Sequence, residues 1–275
     1  MTETPHAIRL LLADVDGTIL TPDHTPTPQT VAAVQRLRDA DIAVTLTTGR
    51  PPQGLTSLIR ALDLTDPLAA LSGGVIVRPD LDVIIEHRME FSAAETAVAV
   101  LTGGAFDIWV YTADQWLVRG APGPRVDREA AIVGFHPTVV ENFDAVLSRV
   151  VKIVGVSDDP LAVVRMTAEA RRRCGRRVLV TSEPPYTAVE ITDPLANTGE
   201  VLMALADAFD VPVEQVATIG ASAVDVPMFE ASGVSVAMGQ ASAEVRGAAS
   251  FVAPSNADDG FAVAVERFVL GTGAA

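Results

Sequence analysis

The chain has 275 residues, of which 49% are hydrophobic, and its formal net charge at pH 7 is −15. This length suits about two globular domains, and the hydrophobic content is sufficient for a sizeable core. Because binding to nucleic acid or to an acidic membrane depends on Lys and Arg side chains, the acidic balance argues against both as partners.

Cysteine content and the N-terminal sequence bear on location. Cys174 is the sole cysteine, which excludes an internal disulfide and agrees with a reducing cytoplasmic location. The N-terminus lacks a basic segment followed by a long apolar one, and Asp14 interrupts the first apolar run. The sequence therefore predicts neither a signal peptide nor a membrane span.

The first third of the chain alternates short apolar strands with amphipathic helices. Strands are predicted at residues 8–13, 42–47 and 68–71, and helices from Thr27-Pro28 and over 55–62. Thr27 is expected to cap the first helix, with Pro28 at its first position. This alternation predicts a parallel sheet that is covered on both faces.

The pattern changes after Gly73-Gly74. A hairpin is predicted from residues 75–77 and 83–85, and Ser92-Ala93-Ala94-Glu95 has the spacing of a capping box at a helix start. Two strands flank a turn at Ala113-Asp114, a strand covers 152–156, and a helix covers 161–173 and ends at Gly175. Residues 120–124, rich in Pro and Gly, receive no assignment. A second domain is expected to begin near residue 80.

The chain is expected to return to the first domain near Tyr186, and the final third resumes the alternating pattern. A helix is predicted from the spacing of Val201, Leu202 and Leu205, followed by a strand at 216–219. Asp14, Thr48 and the loop 220–225 each follow a predicted strand. Ligands bind beyond the carboxyl ends of strands in parallel sheets, so these residues are expected to share one site.

The pentapeptide Asp14-Val15-Asp16-Gly17-Thr18 carries the clearest chemical signal. Two carboxylates two residues apart at a strand end suit phosphoryl transfer, because one can attack phosphorus while the other handles the proton of the leaving oxygen. Mg²⁺ would join them as a hard cation that prefers oxygen ligands. The alternative is an Asp-Gly turn with solvated carboxylates.

Together with four further segments, this motif resembles the haloacid dehalogenase (HAD) superfamily, and specifically its Cof-like (subfamily IIB) phosphatase branch. The further segments are Thr47-Thr48-Gly49-Arg50, Trp109-Val110-Tyr111-Thr112, Lys152-Ile153 and Val234-Ser235-Val236-Ala237-Met238-Gly239. The resemblance covers nearly the whole chain. It implies an α/β fold, with a Rossmann-like parallel-sheet core at residues 1–80 and 187–275 and an inserted α/β cap domain at 81–186.

The resemblance also implies a function and roles for single residues. The function is Mg²⁺-dependent hydrolysis of a small phosphate monoester, of which sugar phosphates are the commonest class, through an aspartyl-phosphate on Asp14. The metal would be bound by Asp14, by the backbone carbonyl of Asp16 and by Asp225. Asp16 would act as general acid and base, and Thr48 and Gly49 would contact phosphate oxygens.

Two of the family's motifs are changed in this chain. Where the family has a lysine at a helix start, the alignment places Thr198, which is expected to lie beside the phosphate without carrying the charge. Where the family reads Gly-Asp-x-x-Asn-Asp, Ala221 offers no ligand atom and Val224 replaces the asparagine. Because the chain's one lysine, Lys152, falls in the predicted cap, Arg50 is the candidate for the missing cation.

These changes leave three interpretations open. The chain is a phosphatase with weakened Mg²⁺ affinity and impaired turnover, or it is a pseudophosphatase that binds a small phosphorylated ligand or a protein partner. The third interpretation is related chemistry with a different charge balance. Outside the motifs, the aromatic residues Trp109, Tyr111, Trp116 and Tyr186 are interpreted as packing residues rather than as a substrate pocket.

Overall fold

The structure is a computed structural model, and it describes residues 7–120, 123–182 and 187–271. Tyr186, where the chain was expected to return to the first domain, lies outside the described residues. No helix in the described part of the chain combines the length and the apolar composition that crossing a bilayer requires.

Strands and helices are numbered in chain order. The strands are β1 Leu10–Asp14, β2 Ala43–Thr47, β3 Leu68–Ala70, β4 Val75–Val77, β5 Val83–Glu86, β6 Asp107–Tyr111, β7 Trp116–Arg119, β8 Thr138–Val140, β9 Lys152–Val156, β10 Leu179–Thr181, β11 Ala188–Thr192, β12 Val216–Gly220, β13 Val234–Ala237 and β14 Phe251–Val252. The helices are α1 Pro28–Asp39, α2 Thr56–Leu62, α3 Phe91–Gly103, α4 Pro124–Val133, α5 Pro160–Cys174, α6 Thr198–Ala208, α7 Val226–Ala231, α8 Ala243–Ala248 and α9 Gly260–Ala264.

The chain divides into two compact units. Within the described residues, the first unit contains 7–48, 57–69 and 197–271, and the second contains 49–56, 70–120, 123–182 and 187–196. The short segment 49–56 therefore belongs to the second unit, although it follows a strand of the first. The domain boundaries at residues 80 and 187 stay a prediction.

The first unit is built on a parallel sheet with the strand order β14-β13-β12-β1-β2-β3. Its central strand, β1, contains Leu10, Leu11 and Leu12, all fully buried, because a parallel sheet covered on both faces buries both sides of each strand. The predicted α/β fold with a parallel sheet is confirmed. At the start of α1, the Thr27 hydroxyl accepts a hydrogen bond from the Thr30 amide at 3.1 Å, as the sequence predicted.

The second unit contains a six-stranded, mainly antiparallel sheet with the order β10-β11-β9-β6-β7-β8. Alternate residues of its strands, among them Val110, Ile153 and Ile191, form a core with α3 and α5. The predicted hairpin is present as the antiparallel pair β4 and β5. Trp109, Tyr111 and Trp116 are buried and pack on one another, with ring centroids 5.3 Å and 5.8 Å apart, which agrees with the packing interpretation.

Two local expectations differ from the structure. The prediction of a capping box at Ser92 is wrong, because α3 begins at Phe91 and its N-cap is Glu90. The Ser92 hydroxyl donates to Glu90 Oε1 at 2.6 Å instead of accepting from a backbone amide. Helix α4 was not predicted, because Pro and Gly dominate the residues before it. Pro124 at its first position and the left-handed Gly134 after its end are signals that mark it.

Candidate active site

Asp14 lies at the carboxyl end of β1, opposite Thr47 of β2. The chain then turns tightly, since the amides of Ile19 and Leu20 both donate to the Val15 carbonyl at 3.1 Å. Gly17 within this turn has φ +84°, a left-handed conformation that side chains rarely adopt. The Asp-Gly sequence therefore folds back directly after the strand and fixes the positions of Asp14 and Asp16.

The Asp14 carboxylate lies in an electrostatically unfavourable position for an anion. Burial raises the pKa of Asp14 well above its ordinary value, and the nearby charges of Asp225 and Asp16 raise it further. A backbone hydrogen bond at Val15 and the Thr18 hydroxyl, which donates to Asp14 Oδ2 at 3.1 Å, oppose this shift. Carboxylates from the β1 turn and from the 223–225 turn thus repel each other here.

Asp16 is exposed and has a neighbour that the sequence analysis did not single out. His24 Nδ1 lies 3.2 Å from Asp16 Oδ1. His24 adopts φ +57° in the turn between Thr21 and Thr25, and its amide donates to the Thr21 carbonyl at 2.9 Å. Eight residues separate the pair along the chain, so neither strand nor helix periodicity indicates the contact.

Thr48 and Arg50, two predicted phosphate-binding residues, belong to different units. Thr48 is buried in the first unit, and its amide donates to the Ala69 carbonyl at 3.1 Å. Gly49 and Arg50 belong to the second unit. Arg50 is 8% exposed, and its Nη1 lies 3.5 Å from the Ile132 carbonyl of α4.

Thr198 is the first residue of α6 and is buried. The Asn197 side chain caps this helix by accepting from the Glu200 amide at 3.0 Å. The Thr198 hydroxyl donates to the Val224 carbonyl at 2.7 Å. Thr198 therefore joins the start of α6 to the 223–225 turn by a neutral hydrogen bond.

Asp225, the predicted metal ligand after β12, is 1% exposed. Its Oδ2 atom accepts from the amides of Ala221 and Ser222, each at 2.9 Å, and from the Ser222 hydroxyl at 3.2 Å. A Cβ on Gly220 would lie 2.6 Å from the Asp225 Cβ atom, so this packing requires glycine. Asp225 thereby fixes the 220–225 loop, while the Val224 side chain is directed to solvent and is 37% exposed.

Gln240 is a further residue that sequence reasoning missed. It follows β13, and its Nε2 donates to the Gly17 carbonyl at 2.6 Å. Its Oε1 accepts from the Asn256 amide at 3.1 Å. Gln240 thus holds the turn that carries Asp14 and Asp16. Its place after a strand of the parallel sheet is the one sequence signal that points to it.

The family resemblance implies Mg²⁺ at this site. No group of three or more His, Cys, Asp and Glu side chains with a metal-holding arrangement occurs among residues 7–120, 123–182 and 187–271. The set of metal ligands that the family resemblance implies is smaller, because it contains the carboxylates of Asp14 and Asp225 and the backbone carbonyl of Asp16. These are hard oxygen donors, and Mg²⁺ needs only one or two carboxylates when it keeps several waters. The donor set fits a hard divalent cation.

A parallel sheet with two carboxylates after its central strand, and a second α/β unit inserted in the chain, define a Rossmann-like α/β protein with an inserted domain. The sequence model of the family described as haloacid dehalogenase-like hydrolase matches residues 11–265, so the chain belongs to this family. The resemblance to the Cof-like phosphatase branch is thereby confirmed, as is the Rossmann-like core with an inserted cap.

Relatives in bacteria match over nearly the full length of the chain. The chain is 25% identical over 265 residues to a putative phosphatase of Haemophilus influenzae, covering 94% of this chain and 97% of that protein. It is also 25% identical over 289 residues to a 5-amino-6-(5-phospho-D-ribitylamino)uracil phosphatase of Bacillus subtilis, covering 96% and 99%. The solved structure of the HAD subclass IIB sugar phosphatase BT4131 is 18% identical and superposes with a TM-score of 0.83, covering 94% of this chain and 98% of that one.

Proposed function

We propose that the chain hydrolyses a small phosphate monoester through an aspartyl-phosphate on Asp14, with Mg²⁺ as cofactor and with turnover reduced by the changed motifs. One observation carries the proposal. Asp14 ends the central strand, Asp16 lies in the tight turn that follows, and the Thr18 hydroxyl donates to one oxygen of Asp14. The second Asp14 oxygen is the candidate nucleophile.

The mechanism has two displacements at phosphorus. An Asp14 oxygen attacks phosphorus as the bond to the leaving oxygen breaks, and Asp16 donates its proton to that oxygen. Asp16 then takes a proton from water, which attacks the phosphorus of phospho-Asp14 and releases phosphate and free Asp14. Asp16 suits both roles because it is exposed, and His24 Nδ1 lies 3.2 Å from its carboxylate.

Asp14, the Asp16 carbonyl and Asp225 would hold Mg²⁺, which supplies charge neutralisation for the transferring phosphoryl group. Asp225 already accepts three hydrogen bonds from its own loop through Oδ2. Ala221 contributes no oxygen beyond its backbone. We therefore expect the chain to bind Mg²⁺ more weakly than relatives that have a carboxylate at this position.

The proposed substrate is a small phosphorylated metabolite of the sugar-phosphate class. The relatives support this choice, because one is named as a phosphatase of a phosphoribityl compound and another as a sugar phosphatase. A cytoplasmic location and the absence of nucleic-acid and membrane partners belong to the same proposal. They rest on the net charge of −15 and the lone cysteine.

A second candidate is a pseudophosphatase that binds a phosphorylated ligand or a protein partner without turnover. The specific observation in its favour is that Thr198, at the family's lysine position, uses its hydroxyl for a bond to the Val224 carbonyl. Without a cation there, the repulsion between Asp14 and a phosphate dianion is less well balanced.

Phosphate release from a panel of sugar phosphates and an aryl phosphate, in Mg²⁺ and in EDTA, separates the two candidates. Mg²⁺-dependent release that Asp14→Asn abolishes would support the phosphatase. If the wild type and Asp14→Asn both released phosphate only at the background rate, while the wild type still bound sugar phosphate, the pseudophosphatase would be supported.

Arg50 gives a test of how the chain replaces the missing lysine. We expect Arg50→Ala to weaken inhibition by inorganic phosphate roughly tenfold or more, because a charged hydrogen bond to a phosphate oxygen is lost. Arg50→Lys should recover part of this affinity, since it keeps the charge but not the planar fork. Thermal unfolding reports separately on the Arg50 contact with Ile132. Unchanged phosphate affinity in Arg50→Ala would exclude Arg50 as the substitute cation.

A further inference from the structure

Lys152, the chain's one lysine, is buried at the start of β9 in the second unit, with its side chain 3% exposed. A buried ammonium is costly unless it is paired and hydrogen-bonded. The Lys152 Nζ atom lies 2.6 Å from Glu190 Oε2, 3.1 Å from Ser72 Oγ and 3.3 Å from the Gly49 carbonyl oxygen. Its three N–H donors thus have three acceptors.

Sheet register explains why Lys152 and Glu190 meet. In the antiparallel pair of β9 and β11, Lys152 is opposite Thr192, and Val154 is opposite Glu190. Residues two apart on a strand share a face, so Lys152 and Glu190 are diagonal neighbours on one face of the sheet. Ile153 and Ile191 are directed to the other face, into the apolar core.

The same cluster holds the backbone of the segment that starts at Gly49. Lys152 bonds the Gly49 carbonyl, and the Leu71 amide donates to the next carbonyl, that of Arg50, at 2.9 Å. Leu71 and Ser72 have φ +53° and φ +60°, uncommon values for residues other than glycine. The Ser72 hydroxyl donates to Glu190 Oε2 at 3.2 Å, so the turn and the segment share one polar anchor.

We propose that Lys152 is a positioning residue for phosphate binding, acting through the Gly49 carbonyl, with Glu190 and Ser72 holding its ammonium in place. The inference rests on the proposed function, and on the phosphate contacts that the family resemblance implies for Gly49 and that the proposed function gives to Arg50. Two consecutive carbonyls, of Gly49 and Arg50, are held by the second unit, which fixes the peptide between them. The donors of Lys152 are used in this anchor, so Lys152 acts on the turn and does not replace the family's lysine.

The first test measures inhibition by inorganic phosphate in Lys152→Met, in the full chain. We expect phosphate affinity to fall by roughly 10- to 100-fold, since small displacements of binding groups have effects of this size. Ser72→Ala is a milder variant that removes one acceptor of the ammonium, and a loss of roughly fivefold is expected. Arg172→Met is the matched control, because Arg172 pairs with Glu169 at 2.6 Å on the exposed surface of the same unit.

A double variant separates positioning from structural support. Lys152→Met alone leaves Glu190 without its cation and is expected to lower the unfolding temperature. Lys152→Met/Glu190→Met replaces the pair by apolar side chains, which often restores stability. We expect the double variant to recover the unfolding temperature but not the phosphate affinity, because the Gly49 carbonyl still lacks its donor. Recovery of both would overturn the proposal.

Hydrogen exchange gives a readout that does not depend on activity. The Leu71 amide, which bonds the Arg50 carbonyl, should exchange faster in Lys152→Met and in the double variant than in the wild type. Unchanged exchange together with unchanged phosphate affinity would overturn the role of Lys152 and leave the proposed function intact. A wild-type chain that neither binds inorganic phosphate nor turns over phosphate esters would overturn the proposed function, and the phosphate-binding role of Lys152 with it.

Discussion

The Asp14→Asn variant is expected to release no phosphate above background and, in EDTA at neutral pH, to unfold at a higher temperature than the wild type. The loss of activity follows from the proposed role, because an amide is not a nucleophile toward phosphorus. The gain in stability follows from the surroundings of Asp14. Asn keeps the shape and can still accept the Thr18 hydrogen bond, but it carries no charge beside Asp225 and Asp16.

The pH dependence of this gain has a definite sign. The pKa of Asp14 is raised above its ordinary value of 3.8, first by burial and then by Asp225 and Asp16. The folded state therefore binds a proton more tightly than the unfolded state, and stability is lost as pH rises through the raised pKa. Each pKa unit corresponds to about 1.4 kcal/mol. About 1 kcal/mol shifts Tm by roughly 2–4 °C in proteins somewhat smaller than this one, so each kcal/mol of relieved repulsion is large enough to measure as a rise in Tm.

Thermal unfolding of both proteins from about pH 5 to about pH 8, in EDTA and in Mg²⁺, checks the prediction. The difference in Tm should be largest at the alkaline end and shrink toward acid as folded Asp14 takes up its proton, vanishing only below the ordinary pKa of 3.8, where both states are protonated. Mg²⁺ should raise the Tm of the wild type but not that of Asp14→Asn. Asp23→Asn, at an exposed position, is the charge-matched control. An equal or lower Tm for Asp14→Asn in EDTA would contradict the electrostatic account.

Restoring the two family residues together, by Thr198→Lys and Ala221→Asp, is expected to raise Mg²⁺-dependent phosphate release by about 100-fold or more. Groups that stabilise transition-state charge each contribute about 10²- to 10³-fold to turnover in well-studied cases. The restored lysine and aspartate act on the same charge. The gain in phosphate release of the double variant should therefore exceed the product of the gains of the two single variants.

The surroundings of the two positions favour this outcome. The Ala221 Cβ atom lies 3.6 Å from the place where a Cβ on Gly17 would stand, so a carboxylate at 221 would extend beside the turn of Asp14 and Asp16. Ala221→Asp alone adds a negative charge there, and it should lower Tm in EDTA while enlarging the rise that Mg²⁺ causes. Thr198→Lys loses the hydrogen bond to Val224, at a cost of about 1 kcal/mol.

Exposed positions on the same elements supply the controls for the double variant. Ala223→Asp adds the same charge two residues further along the loop, and Met203→Lys adds a lysine to the solvent side of α6. Neither should change Mg²⁺-dependent release. If the double variant gained no activity while it remained folded, the changes at this site would extend beyond Thr198 and Ala221, and the pseudophosphatase would be favoured.

Local patterns in the sequence account for most of the sheet and helix assignments. The run Leu10–Leu12 indicates a strand because a parallel sheet buries both of its faces, and Thr27-Pro28 indicates a helix start because both residues suit that position. The placement of Asp14 at a strand end follows from the same run. The capping-box pattern at Ser92 failed because Glu90, two residues earlier, supplies the carbonyl that begins the helix.

The sequence did not predict the contacts between residues that lie far apart along the chain. Gln240 holds the Gly17 carbonyl from 223 residues away, and Lys152 holds the Gly49 carbonyl from 103 residues away. His24 reaches Asp16 through a left-handed turn that the sequence does not specify. These contacts depend on how the strands are ordered and where loops end, and a sequence pattern constrains neither closely. The chemistry-bearing motif was therefore predictable, whereas the residues that hold it in place were not.

The position of β1 at the centre of its sheet has a consequence for how the chain folds during synthesis. β1 pairs with β2 on one side, but its other neighbour, β12, is about 200 residues later, with Leu10 opposite Val216. At about 5–20 residues per second, the ribosome needs roughly 10–40 s to supply that strand. The second unit is complete earlier, by residue 196. Until β12 emerges, one edge of β1 lacks its partner, so nascent or truncated chains that end before β12 expose an apolar strand edge and are prone to aggregate.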